Sequence, residues 1–268
     1  MPLHCQDALK KIRAGKELAL GMGVHHMRGS AAPMLARAAG FDWLFIDAEH
    51  GFISTPEIAQ ICLAALPQGV VPIVRICSGE FAEGTRALDN GALGLVIPHV
   101  DTPEQARALV DAFRFAPMGH RSTGGTNAQF GYRPPAAAEA QKVLNAEILI
   151  IPMIETPQAV ENADAIAAID GIDALLIGTN DLSLEMGISG QIGHECIKAA
   201  YKTVAEACKR RGRVLGMGGV YDQELATEYI GMGARLILGA NDHGLLLNAA
   251  MQRVEFLRGL GIGNGRSS

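Results

Sequence analysis

Eight short apolar runs recur along the chain, each separated from the next by a longer segment of helical period, and this alternation leaves few folds open. The runs are 17–24 (ELALGMGV), 42–47 (DWLFID), 70–76 (VVPIVRI), 93–98 (LGLVIP), 147–154 (EILIIPMI), 173–178 (DALLIG), 213–217 (RVLGM) and 234–239 (ARLILG). They are hydrophobic throughout rather than alternating, as parallel strands covered on both faces must be. Helical segments are read at 30–39, 55–66, 80–90, 102–114, 156–168, 195–211, 222–232 and 241–259. Ser30, Thr55-Pro56-Glu57, Thr102-Pro103-Glu104 and Thr156-Pro157 read as N-terminal caps, the last three with a proline opening the helix. Strict β–α alternation over 268 residues predicts the α/β class and a single (β/α)8 TIM barrel over 1–260, with 261–268 a disordered tail.

Composition bounds the function. Hydrophobic residues make up 49% but aromatics only 5%, so the core is built from aliphatic side chains, the usual filling of barrel strands. A net charge of -5 speaks against a nucleic-acid surface, and the one basic cluster, 209–211, sits where a helix ends and cations favour its dipole. Five widely spaced cysteines without a CxxC pair suit a reducing cytoplasm rather than a disulfide framework or a thiolate zinc site. The opening MPLHCQDALKKIRAG reads as an amphipathic helix, not a signal peptide, and no apolar run reaches the roughly 20 residues that a bilayer requires. The longest irregular segment, 116–135, falls in the fourth βα unit and is expected to be functional.

In a barrel the chemistry lies where strands end. Those positions hold Asp47-Ala48-Glu49-His50-Gly51, Arg75, Pro98-His99, Glu155 and Gly178-Thr179-Asn180-Asp181. Charged groups attached directly to apolar strands are costly to desolvate unless paired or metal-bound. Each has a structural alternative: Asp47 and Glu49 can cap the following helix, Arg75 can pair with any of these acids, and Asp181 can cap a short helix starting at Leu182. Their joint occurrence at one end of five strands points instead to a site. Glu155 and Asp181, on adjacent strands, suit a hard divalent cation such as Mg²⁺ or Mn²⁺. A cation beside an arginine can hold a 2-oxo acid and stabilise its enolate, and a histidine oriented by an aspartate can move the proton. No lysine ends a strand, so a Schiff-base route lacks a nucleophile.

The segments GFDWLFIDAEHG (40–51), VPIVRI (71–76), GALGLVIPHVDTPEQA (91–106), IPMIET (151–156), GIDALLIGTNDLS (171–183) and GARLILG (233–239) carry a resemblance. Through them the chain resembles the class II 2-oxo acid aldolases of the HpcH/HpaI group over nearly its whole length. The resemblance implies a carbon–carbon lyase that cleaves or forms 4-hydroxy-2-oxo acids through a pyruvate enolate, giving pyruvate and an aldehyde, in aromatic or sugar-acid catabolism. It implies a divalent metal (Mg²⁺ or Mn²⁺, with Co²⁺ also accepted) on Glu155 and Asp181, and proton transfer by His50 with Asp47. It further implies enolate stabilisation by Arg75, and Glu49 as the acid that orients water at the metal. Small residues near Thr179 and Asn180 leave backbone amides for the substrate carboxylate. Family members are usually homo-oligomers, often hexamers built from dimers that exchange their final helix, here 241–259.

The chain also departs from the family pattern. Met153 stands where a glutamine is common, the long loop reads APMGHRSTGG, and the seventh-strand loop reads GMGGVYD. The first loop is Val24-His25-His26-Met27-Arg28, where small or hydroxyl residues are usual. His25 and His26 are therefore read as substrate contacts. Together with Arg28, His120, Arg121 and Arg133 they would form a polar, partly cationic rim that selects the aldehyde. Rival readings are a CoA-ester lyase of the malyl- or citryl-CoA type, phosphoenolpyruvate chemistry, and a non-catalytic barrel that binds a 2-oxo acid. The first lacks a basic CoA surface, the second a phosphate site, and the third would not need His50 and both carboxylates.

Overall fold

The computed structural model describes residues 3–125 and 127–260; the tail read as disordered lies outside them. Eight parallel strands close into a barrel in sequential order. They are β1 (Ala19–Val24), β2 (Trp43–Asp47), β3 (Val71–Arg75), β4 (Gly94–Ile97), β5 (Leu149–Ile154), β6 (Ala174–Gly178), β7 (Val214–Gly218) and β8 (Ala234–Asn241). Around and between them run α1 (Gln6–Ala14), α2 (Ala31–Ala39), α3 (Thr55–Gln68), α4 (Phe81–Asp89), α5 (Pro103–Phe113) and α6 (Ala137–Glu147). The second half adds α7 (Pro157–Glu161), α8 (Ala163–Ala167), α9 (Thr179–Glu185), α10 (Glu195–Arg211), α11 (Gln223–Gly231) and α12 (Asp242–Gly259). Every residue of β2 through β7 is buried, which is why those stretches carry almost no polar side chain until their last positions. Among the described residues no helix is long and apolar enough to cross a membrane.

The caps at Thr102 and Thr156 are in place, each hydroxyl accepting an amide of the first turn, at 3.2 and 3.0 Å. In α3 the cap is Ser54 rather than Thr55, completed by Glu57, whose carboxylate accepts the Ser54 amide at 2.7 Å. The single helix expected over 156–168 is two short pieces meeting at Asn162, whose side chain donates to the Asp101 carbonyl at 2.7 Å. Helix α6 is absent from the sequence reading. It buries only Ala140 and Leu144, so its Ala- and Glu-rich composition speaks for helix but its periodicity does not.

The segment 116–135 is misplaced by the sequence reading. It follows α5 and packs against the end of the barrel where strands begin, not where they end. Gln129 donates to the carbonyls of Leu88 and Ala92, just ahead of β4, and accepts the His4 amide. Buried Arg114, which leads into the segment, donates to Ile148 and Gly171 carbonyls and to Asp173, all ahead of β5 and β6. Arg121 is buried, paired with Asp89 at 2.8 Å and stacked on Phe115. His120 is paired with Asp111. Buried Arg114 and Arg121 thus tie together the end where strands begin, and His120 and Arg121 lie away from the rim expected of them.

Candidate active site

Parallel pairing of β2 with β3 runs from Trp43 opposite Val71 to Asp47 opposite Arg75, so the last residue of each strand faces the other. Arg75 Nε donates to Asp47 Oδ1 at 2.9 Å and its NH2 nitrogen to Oδ2 at 2.7 Å, a bidentate fork with both partners buried. Glu49 Oε2 lies 3.2 Å from the remaining guanidinium nitrogen, and the Phe45 ring lies 5.1 Å beneath the group. Burial alone would raise the Asp47 carboxyl. The hydrogen bonds and charge of Arg75, with the His50 amide, overcome it and hold Asp47 below the usual carboxylate range. Arg75 likewise stays charged against burial, because Asp47, Glu49 and Glu155 all favour the cation.

Two strands further round, Ile154 of β5 pairs with Ile177 of β6, and one step on Glu155 faces Gly178. A Cβ on Gly178 would come within 2.5 Å of Glu155 Oε2, so the carboxylate occupies the space that the missing side chain leaves. The other oxygen accepts the His99 amide at 2.7 Å, with His99 in a left-handed turn at φ 54°. Burial pushes the Glu155 carboxyl above its usual range; His99 opposes the shift and the nearby charge of Asp181 adds to it. The acid caps nothing: Gly178 stands at the N-cap of α9, and Asp181 lies inside the first turn, which begins at Thr179 rather than Leu182. A cavity of about 290 Å³ opens here, lined by His25, His50, Arg75, Met153, Asn180 and Asp181 among others. Asp181 lines this cavity, and Glu155 lies buried behind Gly178 of the lining, its charge disfavoured by Asp181 while the nearest guanidinium is committed to Asp47 and Glu49. That donor set and that electrostatic deficit fit a hard divalent cation.

The family model for HpcH/HpaI aldolase/citrate lyase matches residues 26–249. The chain belongs to the HpcH/HpaI aldolase/citrate lyase family. It is 36% identical to a 4-hydroxy-4-methyl-2-oxoglutarate aldolase of Hapsidospora irregularis, over 92% of this chain and 93% of that one. It is 35% identical to a hydroxypyruvate/pyruvate aldolase of Cupriavidus necator, over 96% and 94%. The crystal structure of an HpcH/HpaI aldolase from Desulfitobacterium hafniense superposes with a TM-score of 0.89 at 31% identity, covering 95% of this chain and 98% of that one. The chain is a carbon–carbon lyase, a pyruvate aldolase of the metal-dependent class.

In this HpcH/HpaI aldolase several side chains stand differently from the sequence reading. Asp47 touches His50 only through the backbone, its Oδ1 accepting the His50 amide at 3.2 Å and the Glu49 amide at 3.1 Å. The His50 ring is largely exposed and its nearest acid is Glu49, at 3.8 Å. The imidazole beside Asp47 is instead His25, with Nε2 3.4 Å from Oδ2. Burial lowers the His25 pKa against the pull of Asp47 and Asp242, which favours the neutral ring. His26 does not line the cavity; its ring packs edge-on against His243 at 5.1 Å. Arg28 is engaged by Glu57 at 3.2 Å. Thr179 turns its hydroxyl away, to Tyr201 and the Gly218 carbonyl, both at 2.7 Å, so only its backbone is available to a substrate. Sequence reasoning missed Asp242, a buried acid following β8. Its Oδ2 accepts the amides of His25, His26 and Met27 at 3.1, 2.8 and 2.6 Å. An acid at the end of an apolar strand was the available signal, and it was read as the start of a helix.

The depressed Asp47 pKa has a definite sign for stability: its contribution is complete above the ordinary carboxylate range and is lost as pH falls through the lower folded value. Asp47→Asn is expected to cost about 3 kcal/mol at pH 7, because it leaves a buried guanidinium undercompensated. The deficit should shrink below about pH 4, where the unfolded carboxyl is protonated. Urea unfolding at pH 7 and pH 3 measures this; an equal deficit at both would assign the loss to packing.

Proposed function

We propose that this aldolase cleaves 4-hydroxy-2-oxo acids to pyruvate and a second small carbonyl compound, with Glu155 and Asp181 holding Mg²⁺ or Mn²⁺, and Co²⁺ as a substitute. The observation that carries this reading is the buried Glu155 carboxyl, raised by desolvation and by Asp181 and set against Gly178 in the lining of a cavity that Asp181 and Arg75 share. When bound, the cation supplies Lewis acidity that polarises the 2-oxo group and stabilises the enolate. The remaining work falls to side chains. Arg75, fixed by Asp47 and Glu49, offers the rest of its fork to the developing enolate oxygen at no cost in reorganisation. The backbone at Thr179 and Asn180 opens α9 with amides that lack helical partners, and these suit the substrate carboxylate. His50, facing the cavity with Glu49 behind it, accepts the 4-hydroxyl proton as the C3–C4 bond breaks. The bonding pair passes to C3, and a returned proton there completes the methyl group of pyruvate. The mouth carries His25, His50 and Asn180, which favours a hydroxylated or carboxylated second half over an apolar one. The Hapsidospora relative, named for a substrate with a carboxylate at each end, is in keeping with this.

Exhaustive chelation is expected to abolish pyruvate release, and Mn²⁺, Mg²⁺ or Co²⁺ to restore it. Full activity after chelation, with inactivation by borohydride plus pyruvate, would indicate a Schiff base instead. His50→Ala should lower kcat for aldol cleavage about 10²–10⁴-fold while sparing oxaloacetate decarboxylation, which forms the enolate without removing a hydroxyl proton. Arg75→Lys, losing the planar fork, should impair both reactions. Equal losses for His50→Ala would give it a binding role.

The exposed face of α12 supports a homo-oligomer. Leu246, Leu247 and Met251 on this helix are 73, 58 and 60% exposed, and of its residues only Asp242 is buried. A helix so apolar and so bare in one chain suits exchange onto a neighbouring copy in a homo-oligomer, with a hexamer favoured. Light scattering should find a multimer that Leu246→Asp with Phe256→Asp dissociates; a native monomer would refute the exchange.

A further inference from the structure

We propose that the seam where the barrel closes carries a second cation site, formed by His25, Asp242 and His243 and selective for a transition ion such as Zn²⁺ over Mg²⁺. Strands β1 and β8 pair there, Gly23 opposite Asn241, which brings the loop after β1 against the first turn of α12. One donor atom each from His25, Asp242 and His243 lies within 4.8 Å of the others. The two imidazoles face each other at 5.3 Å between ring centroids. Asp242 is held rigid by the three loop amides on Oδ2, while Oδ1 accepts only the His243 amide at 2.8 Å and lies 3.3 Å from His243 Nδ1. Oδ1 therefore keeps lone-pair capacity on the side where the histidine nitrogens lie.

The second nitrogen of His25 has a place in the same arrangement. His25 Nε2 is enclosed and has no hydrogen-bond partner, although Asp47 Oδ2 lies only 3.4 Å away. With Nε2 turned to Asp47, Nδ1 is the nitrogen left for an ion. Coordination through Nδ1 fixes the proton on Nε2, from which it donates to Asp47. This is the carboxylate–histidine–metal arrangement in which the outer nitrogen of a ligating histidine is satisfied.

The chemistry of the donors decides which ion. Two imidazoles and one carboxylate, with water in the fourth place, suit Zn²⁺, Co²⁺ or Ni²⁺; Mg²⁺ prefers an all-oxygen octahedron. Tetrahedral bonds of about 2.0–2.1 Å place donors roughly 3.3 Å apart, so the cluster must contract on binding. His243 is half-exposed, so a small rotation of its ring against His25 and His26 would bring its nitrogen closer.

The test uses the full chain carrying Glu155→Gln and Asp181→Asn, which removes the barrel carboxylates. The readout is then the ion itself, whatever the catalytic cation proves to be. Titrating Zn²⁺ against a chromophoric chelator should give one ion per chain, undisturbed by millimolar Mg²⁺. Co²⁺ should produce visible bands of low-coordinate geometry. His243→Ala in the same background should weaken Zn²⁺ at least about tenfold, remove the Co²⁺ bands and abolish the rise in melting temperature on adding Zn²⁺. Its melting temperature without Zn²⁺ should be unchanged, which shows that the fold is intact. No bound Zn²⁺ in the parent, or binding undiminished by His243→Ala, overturns the proposal.

Discussion

The buried ion pair between Asp47 and Arg75 is the interaction around which the open end of the barrel is organised. It is a product of register: strands paired in parallel from Trp43–Val71 onward must finish with these two residues side by side. A charge in either position alone would be expelled from such surroundings, whereas the pair is bidentate and continues into its neighbours. Glu49 extends it on the guanidinium side, the His50 amide caps the carboxylate, and His25 lies against its outer edge. The tight turn after β2 depends on Gly51, since a Cβ there would collide with the Asp47 carbonyl. The acid, the turn and the arginine are therefore a single packed unit.

The Glu155 side of the cavity obeys a different rule. Glu155 is admitted by the absence of a side chain at Gly178 and is tethered to an amide in a left-handed turn at His99. Arg75 is committed to Asp47 and Glu49 and offsets its charge only in part, so among the described residues its electrostatics remain unfinished. One half of the cavity wall is a closed charge network and the other an open one. Such asymmetry sets a fixed cation, Arg75, on one side and an undercompensated carboxylate on the other.

Much of this was legible in the sequence, because burial on both faces leaves strands no choice but continuous apolar residues, and charges at their ends then stand out. All eight strands and both barrel carboxylates come from that single contrast. Helix α6 escaped because its outer-layer position demands little apolar periodicity. The segment 116–135 was assigned to the wrong end because length marks a loop as unusual without saying which side of a helix it follows. The partner of His25 was hidden for another reason: Asp242 and His243 lie more than two hundred positions away and meet the first loop only because a barrel joins its last strand to its first. Local pattern cannot reveal a closure.

That closure has a mechanical side. Asp242 is at once the anchor for three amides of the first loop and the opening residue of α12, the helix with so little cover of its own. A pull or twist on α12 thus reaches the wall of the catalytic cavity through one carboxylate, with no intervening flexible link to absorb it. Whatever grips the far end of that helix also sets the tension on His25.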